Sequence, residues 1–192
     1  DSRITQASAI GAALSASLAA TSVAASVVRN DIRNDVRAQL GTDEAAEISA
    51  RGSITVAALA LQAGIRDVTA VTASVSAGLY GVSGGGIEIT NVVANTVEAG
   101  VSGPLSVIAG GDVEILAAEE DAFVSADAAA ATVSYSLGAA LGTALVRNEI
   151  RSVITASVPG LSEAAEAGVA SANLTVRARS AADASQTRSA GV

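Results

Sequence analysis

A strand-like segment returns three times along this chain, and its return limits the fold more than any other feature does. The first copy is Arg29-Asn30-Asp31-Ile32-Arg33-Asn34-Asp35-Val36-Arg37-Ala38-Gln39-Leu40-Gly41. On a β-strand, alternate residues face opposite sides. One side carries Asn30, Ile32, Asn34, Val36, Ala38 and Leu40. The other carries Arg29, Asp31, Arg33, Asp35, Arg37 and Gln39. The second copy runs from Thr90 to Val101 and the third from Arg147 to Val158. All three fit Asn-x-(Ile/Val)-x-(Asn/Ser)-x-(Val/Ile)-x-Ala-x-(Leu/Val). A period of about 60 residues points to a stacked repeat architecture.

Each repeat has two further parts. Before the Asn strand lies a run of roughly twenty uncharged residues: Ile4 to Val28, Val68 to Ile87, Ala128 to Val146. After it comes a short alternating segment: Gly52-Ser53-Ile54-Thr55-Val56-Ala57, Gly111-Asp112-Val113-Glu114-Ile115-Leu116-Ala117, and Ala172-Asn173-Leu174-Thr175-Val176-Arg177-Ala178. The alanine-rich first run suits a helix by propensity. Its counterpart Val68 to Gly81 is β-branched, contains glycine and is poor in helix formers, so all three read as strand. In the third run Val133, Tyr135, Leu137, Leu141 and Leu145 alternate with Ser134, Ser136, Gly138, Ala140, Gly142 and Ala144. One face is large and the other small, and both are dry enough to lie buried under a second layer. Between the Asn strand and the short segment, Thr42-Asp43-Glu44-Ala45-Ala46-Glu47 and Ser162-Glu163-Ala164-Ala165-Glu166 read as short capped helical turns. The middle repeat has Ser102-Gly103-Pro104 there, so this edge is where the array varies.

The expected fold is all-β: a β-solenoid of about three repeats of roughly 60 residues. The whole of 1–192 reads as one solenoid segment, with repeats at about 1–61, 62–119 and 120–180 and the start of a fourth at 181–192. Asp183-Ala184-Ser185-Gln186-Thr187 shares the repeat phase of Asp1-Ser2-Arg3-Ile4-Thr5, as in a slice of a longer array. Coils of about 20 residues would give three per repeat and a rod on the order of 43 Å.

The chain has 2 Tyr, 1 Phe and no Trp, Met, Cys or His. Without large aromatics, thin layers of small side chains are favoured over a deep pocket. The absence of His and Cys removes thiolate chemistry and the usual zinc ligands. A net charge of −8 argues against nucleic-acid binding.

Gly81-Val82-Ser83-Gly84-Gly85 matches a nucleophile elbow, but no histidine is present to serve as its base, so it reads as a glycine-rich bend. No catalytic residue, metal site or cofactor is assigned, and the chain is read as no enzyme. Glu119-Glu120-Asp121, with Asp127 nearby, reads as a solvated turn, the alternative being weak calcium binding through oxygen ligands. Asn30, Asn34, Asn91, Asn95, Asn148 and Ser152 read as a structural ladder, bonding inward to the backbone of adjacent coils. Thr42, Asp43, Glu44, Ser162 and Glu163 are the candidate edge-loop contacts. The uncharged runs are long enough to span a membrane. They are rich in Ser, Thr, Ala and Gly and lack an aromatic belt, so no transmembrane segment is assigned.

The short segments, with Gly110-Gly111-Asp112-Val113-Glu114-Ile115 the clearest, resemble those of filamentous-haemagglutinin-type exoproteins. The Asn strand after an Ala/Gly/Ser-rich run resembles the long repeats of leukotoxin-A-family filamentous adhesins. The resemblance covers essentially the whole chain. It implies a right-handed parallel β-helix displayed on a bacterial surface or secreted, and it carries over no catalytic residue. The expected function is structural: a stiff rod or fibre whose partner is itself, by stacking or covalent continuation. The alternative is an adhesin module touching a host receptor or glycan through its edge loops.

Overall fold

The computed structural model describes residues 2–4, 6–41, 43–135, 137–158 and 168–191. Among them there is no helix. The strands, in chain order, are β1 (Ser2–Ile4), β2 (Ala7–Ala16), β3 (Ala19–Gly41), β4 (Ala46–Ala50), β5 (Ile54–Leu61), β6 (Ala63–Ala77), β7 (Tyr80–Ser102), β8 (Leu105–Ala109), β9 (Val113–Tyr135), β10 (Ala139–Ser157), β11 (Gly168–Ala170) and β12 (Leu174–Gly191). Every pairing is parallel. One long sheet has the order β10-β7-β3. A second long sheet stacks β1 and β2 on β6, β5 and β6 on β9, and β9 on β12. The short strands β4, β8 and β11 form a third sheet. The chain therefore runs along one long sheet, crosses the short one, returns along the other and begins the next layer. This is a parallel β-solenoid.

Asn30 pairs with Asn91 and Asn91 with Asn148, at separations of 61 and 57 residues. One repeat is thus one coil, where three short coils were expected. The uncharged run and the Asn strand join without a break in β3 and β7, each 23 residues long. No glycine–proline or asparagine–glycine pair interrupts them, so nothing turns the chain early. Three coils rise only about 14 Å, while each long strand extends about 76 Å. The cross-section is a broad, thin slab.

The core lies between the two long sheets. In one half of the slab Val97, Val101, Val107, Val113 and Ile115 meet, closed off by the short sheet. Towards the middle Ile65, Val68, Ile89, Val93 and Val124 continue the layer. Burying each such side chain contributes roughly 1.5–3 kcal/mol. The helical turn expected at 42–47 is not formed. Asp43 and Glu44 make a bend and Ala46 already begins β4, which pairs with β8 from Ala46↔Leu105 to Ala50↔Ala109. Here strand pairing overrides the helix propensity of two alanines. The counterpart at 162–166 lies outside the described residues.

At the other end of the slab the sheets converge. A Cβ on Gly85 would stand 3.0 Å from Thr132 Cγ2 and 3.4 Å from Thr72 Oγ1. The tip turns are Ser17-Leu18, Gly78-Leu79 and Leu137-Gly138. Tyr80 N–H donates to Leu18 O and Ser17 N–H to Ala77 O, both at 3.1 Å, which stacks the first two turns. A side chain at Gly78 would run into the Ser17 carbonyl oxygen. The interior here is small and polar: Ser22, Ser26, Thr72, Ser74, Ser76, Ser83 and Thr132 are buried. The outside is large and apolar, with Ile10, Leu14, Val23, Val27, Val82, Leu141 and Leu145 exposed. Burial of both faces was expected in the third run; there the structure leaves the large face exposed and covers the small one only in part, at Ser134, Gly142 and Ala144. Ala140, Gly142 and Ala144 pair with the inward residues Ser83, Gly85 and Ile87. The narrow gap between the sheets admits nothing larger.

Candidate functional site

The in-register stacking of parallel strands sets the site. Residues at the same position in adjacent coils lie about 4.8 Å apart, so identical side chains form columns. The Asn column is bonded side chain to side chain. Asn30 Nδ2 donates to Asn91 Oδ1 at 2.8 Å, and Asn91 Nδ2 to Asn148 Oδ1 at 2.9 Å. Asn91 is 0% exposed; Asn30 and Asn148 are half-buried at the ends. The partner is the next amide, where backbone groups were expected. The backbone is already occupied by the strand pairing, and an amide both donates and accepts.

Four residues on, a second column ends differently. Asn34 Nδ2 donates to Asn95 Oδ1 at 2.8 Å. Asn95 Nδ2 then donates across the core to the Glu119 carboxylate. Ser152 Oγ donates to the same oxygen, Glu119 Oε1, at 2.8 Å, and Ser180 Oγ to Oε2 at 3.0 Å. Glu119 is entirely buried and receives three side-chain donors from three strands. It ties the second coil to both long strands of the third. A buried carboxylate is tolerated only with such a set of donors.

The expected acidic turn is thus divided. Glu119 points inward, while Glu120 and Asp121 are exposed, with Asp121 at φ 56° where the strand bulges. The three do not converge on a common point. Alternation along β9 carried the signal: Val113, Ile115, Ala117 and Glu119 form one set, and Ala60 and Ser180 occupy the same position in the flanking coils.

The outer face of the Asn strand carries the charges. Arg33 pairs with Asp31 at 2.7 Å and Arg37 with Asp35 at 2.8 Å along one strand. Arg37 reaches Glu98 at 3.3 Å and Arg29 reaches Glu88 at 3.6 Å across to the next coil. In the third coil Glu149 lies between Arg147, at 3.0 Å, and Arg151. The Arg151 hydrogen bond, against some desolvation, holds the Glu149 carboxyl below its ordinary value. The same bond raises Arg151, and the Asp31 hydrogen bond raises Arg33. Exposed pairs of this kind contribute little stability.

Asp43 and Glu44 are exposed at the edge; Thr42, Ser162 and Glu163 lie outside the described residues. Gly81 to Gly85 opens the straight strand β7, and Ser83 points into the core. That is the opposite of an exposed nucleophile. An open groove of about 460 Å³ lies at the bulge beside Asp121 and Phe123, where the Arg66 guanidinium sits 3.8 Å from the Phe123 ring centre. No helix among the described residues is long and apolar enough to cross a membrane. The chain matches no protein-family model, no curated protein and no solved structure among those compared.

Proposed function

We propose that this chain is a structural segment of a long bacterial filament or adhesin, secreted or displayed at the surface, in which coil stacks on coil to make a stiff fibre. The observation that carries the reading is the pair of polar columns. Asn30-Asn91-Asn148 and Asn34-Asn95-Glu119-Ser152 lock adjacent coils in one register, and the first offers the same amide at each layer. Apolar side chains at both ends of the stack are only half-buried: Val36, Leu40, Ile48 and Val56 at the leading end, Val146, Ile150 and Ile154 at the trailing end. A further coil, covalently continued or stacked, covers them. Strand edges left open at both ends favour the same addition.

Electron microscopy of the purified chain at high concentration tests this. The expected result is fibres with a 4.7–4.8 Å axial repeat, roughly the strand spacing. Discrete, well-behaved monomers from a protein with no flanking repeats would remove the proposal.

A further inference from the structure

The uncharged end of the slab has its polarity reversed. Ser22, Ser26, Thr72, Ser74, Ser76 and Ser83 share the inside with small alanines such as Ala20, Ala24, Ala70 and Ala128, while valines, leucines and isoleucines stand on the outside. In water a sheet turns its large apolar residues inward. Polar-in and apolar-out alternation belongs to sheets that face hydrocarbon. The reversal holds on both outer faces: Val23, Val27, Leu141 and Leu145 on one, Ile10, Leu14, Val71 and Val133 on the other. It also continues round the tip, where Leu18, Leu79 and Leu137 are 74%, 62% and 82% exposed.

Charge begins close to one level on each sheet. On one sheet Arg29 and Arg147 flank Thr90 in register, and Glu88, two residues nearer the tip, pairs with Arg29 at 3.6 Å. On the other, Asp127 pairs with Thr69. From Ala19 at the tip to Val28, the last residue before Arg29, is ten residues, or about 33 Å of strand. The hydrocarbon core of a bilayer is about 30 Å thick. Tyr80 and Tyr135 stand exposed beside the tip, where a strand of that length would bring them to the far headgroup level.

We propose that the uncharged end of each coil enters a lipid bilayer, with the charged half left in water. A second copy fits less well. One face across three layers offers on the order of 460 Å², against about 800 Å² per partner in a stable complex. A copy laid on one face also leaves the opposite face and the leucine tip in water, whereas hydrocarbon covers all three. Insertion rests on the stacking reading in one respect. Its outermost strands need partners, since unpaired backbone groups are not tolerated in hydrocarbon.

The chain has no tryptophan, so single reporters are unambiguous. Leu79→Trp places one at the tip and Val153→Trp one on the exposed charged half. Each full chain is mixed with phosphatidylcholine vesicles, with and without brominated acyl chains, and floated on a density gradient. The expected result is co-flotation, with Leu79→Trp blue-shifted and quenched by bromine and Val153→Trp neither. The double variant Leu79→Asp, Leu141→Asp alters only exposed sites. With circular dichroism unchanged, it should lower vesicle binding at least about tenfold. Three outcomes overturn the proposal: no flotation; equal quenching of both reporters; or a Leu79→Trp blue shift that grows with protein concentration without vesicles, which would assign the face to a second copy. Microscopy of the same samples separates the two readings. Fibres that do not float overturn insertion alone, and flotation of unassembled chains overturns stacking alone.

Discussion

Each coil has two halves built on the same strands and stacked in the same register, yet they are stabilised in opposite ways. The charged half follows the rule for water: Ile89, Val93, Val97 and Ile115 inside, arginines and carboxylates outside. The tip half keeps its interior small and hydroxylated, and Ser15, Ser22, Thr72, Ser74 and Ser83 bury hydroxyl oxygens without a hydrogen-bond partner. The first half holds the layers together through apolar burial and amide columns. The second holds them chiefly through backbone pairing. Parallel stacking thus fixes position and leaves polarity free to be set by the surroundings.

The largest expected effect is in the charged half. Asn91→Leu removes the central amide, leaving the Asn30 donor and the Asn148 acceptor without it. It should cost about 3–4 kcal/mol and lower Tm by about 10 °C. Asn148→Leu, at the end of the column, should cost about half as much. A thermal melt showing no change for either would place the stabilisation elsewhere. Val93→Ala, in the same half, should cost about 2 kcal/mol by cavity formation. The sign reverses in the tip half: Thr72→Val keeps the shape and removes an unpartnered buried hydroxyl, so stability should rise by about 1 kcal/mol. If chemical denaturation shows a loss instead, the hydroxyl has a partner and the contrast between the halves weakens.

The smallest expected effect is on pH. The Glu149 carboxyl is held below its ordinary value of 4.5, mainly by the Arg151 hydrogen bond. A group lowered on folding contributes stability above its unfolded pKa and loses that contribution as pH falls through the folded one. Tm measured against pH should therefore be flat from neutrality to about 4.5 for this group and decline below it. Glu149→Gln should flatten part of that decline, and an unchanged acid slope would exclude the contribution.

Parallel β structure and the 60-residue period were legible because the Asn strand repeats its alternation three times. The inward set of that strand follows from the same parity. Coil length was not legible, since the tip turns carry no signal beyond a serine or glycine beside a leucine. The bend-and-strand at 43–50 was obscured by alanines and glutamates that score as helix until β8 supplies a partner. Glu119 was hidden by its acidic neighbours. Its register with Ala60 and Ser180 appears only when whole coils are aligned. Which face of the Val133–Leu145 run is covered depends on the gap set by the opposite sheet, and no local pattern states that.

The unbroken register has a consequence for how such a chain can change. β3 follows β7 through 23 consecutive pairs, and β10 follows β7 through 19, with no slip. Because faces alternate residue by residue, inserting or deleting one residue within such a strand would invert everything beyond it. Arginines would enter the core and valines would leave it. The separations of 61 and 57 residues nevertheless differ. Two of those four residues come out of the loop before the short sheet, one at the β6–β9 bulge and one at the tip turn. A whole coil can accordingly be duplicated, lost or exchanged for another without disturbing its neighbours, whereas a one-residue indel in the β10-β7-β3 sheet cannot; the other long sheet takes up such slips at its bulges. The molecule behaves as interchangeable tiles joined by elastic hinges of sequence length.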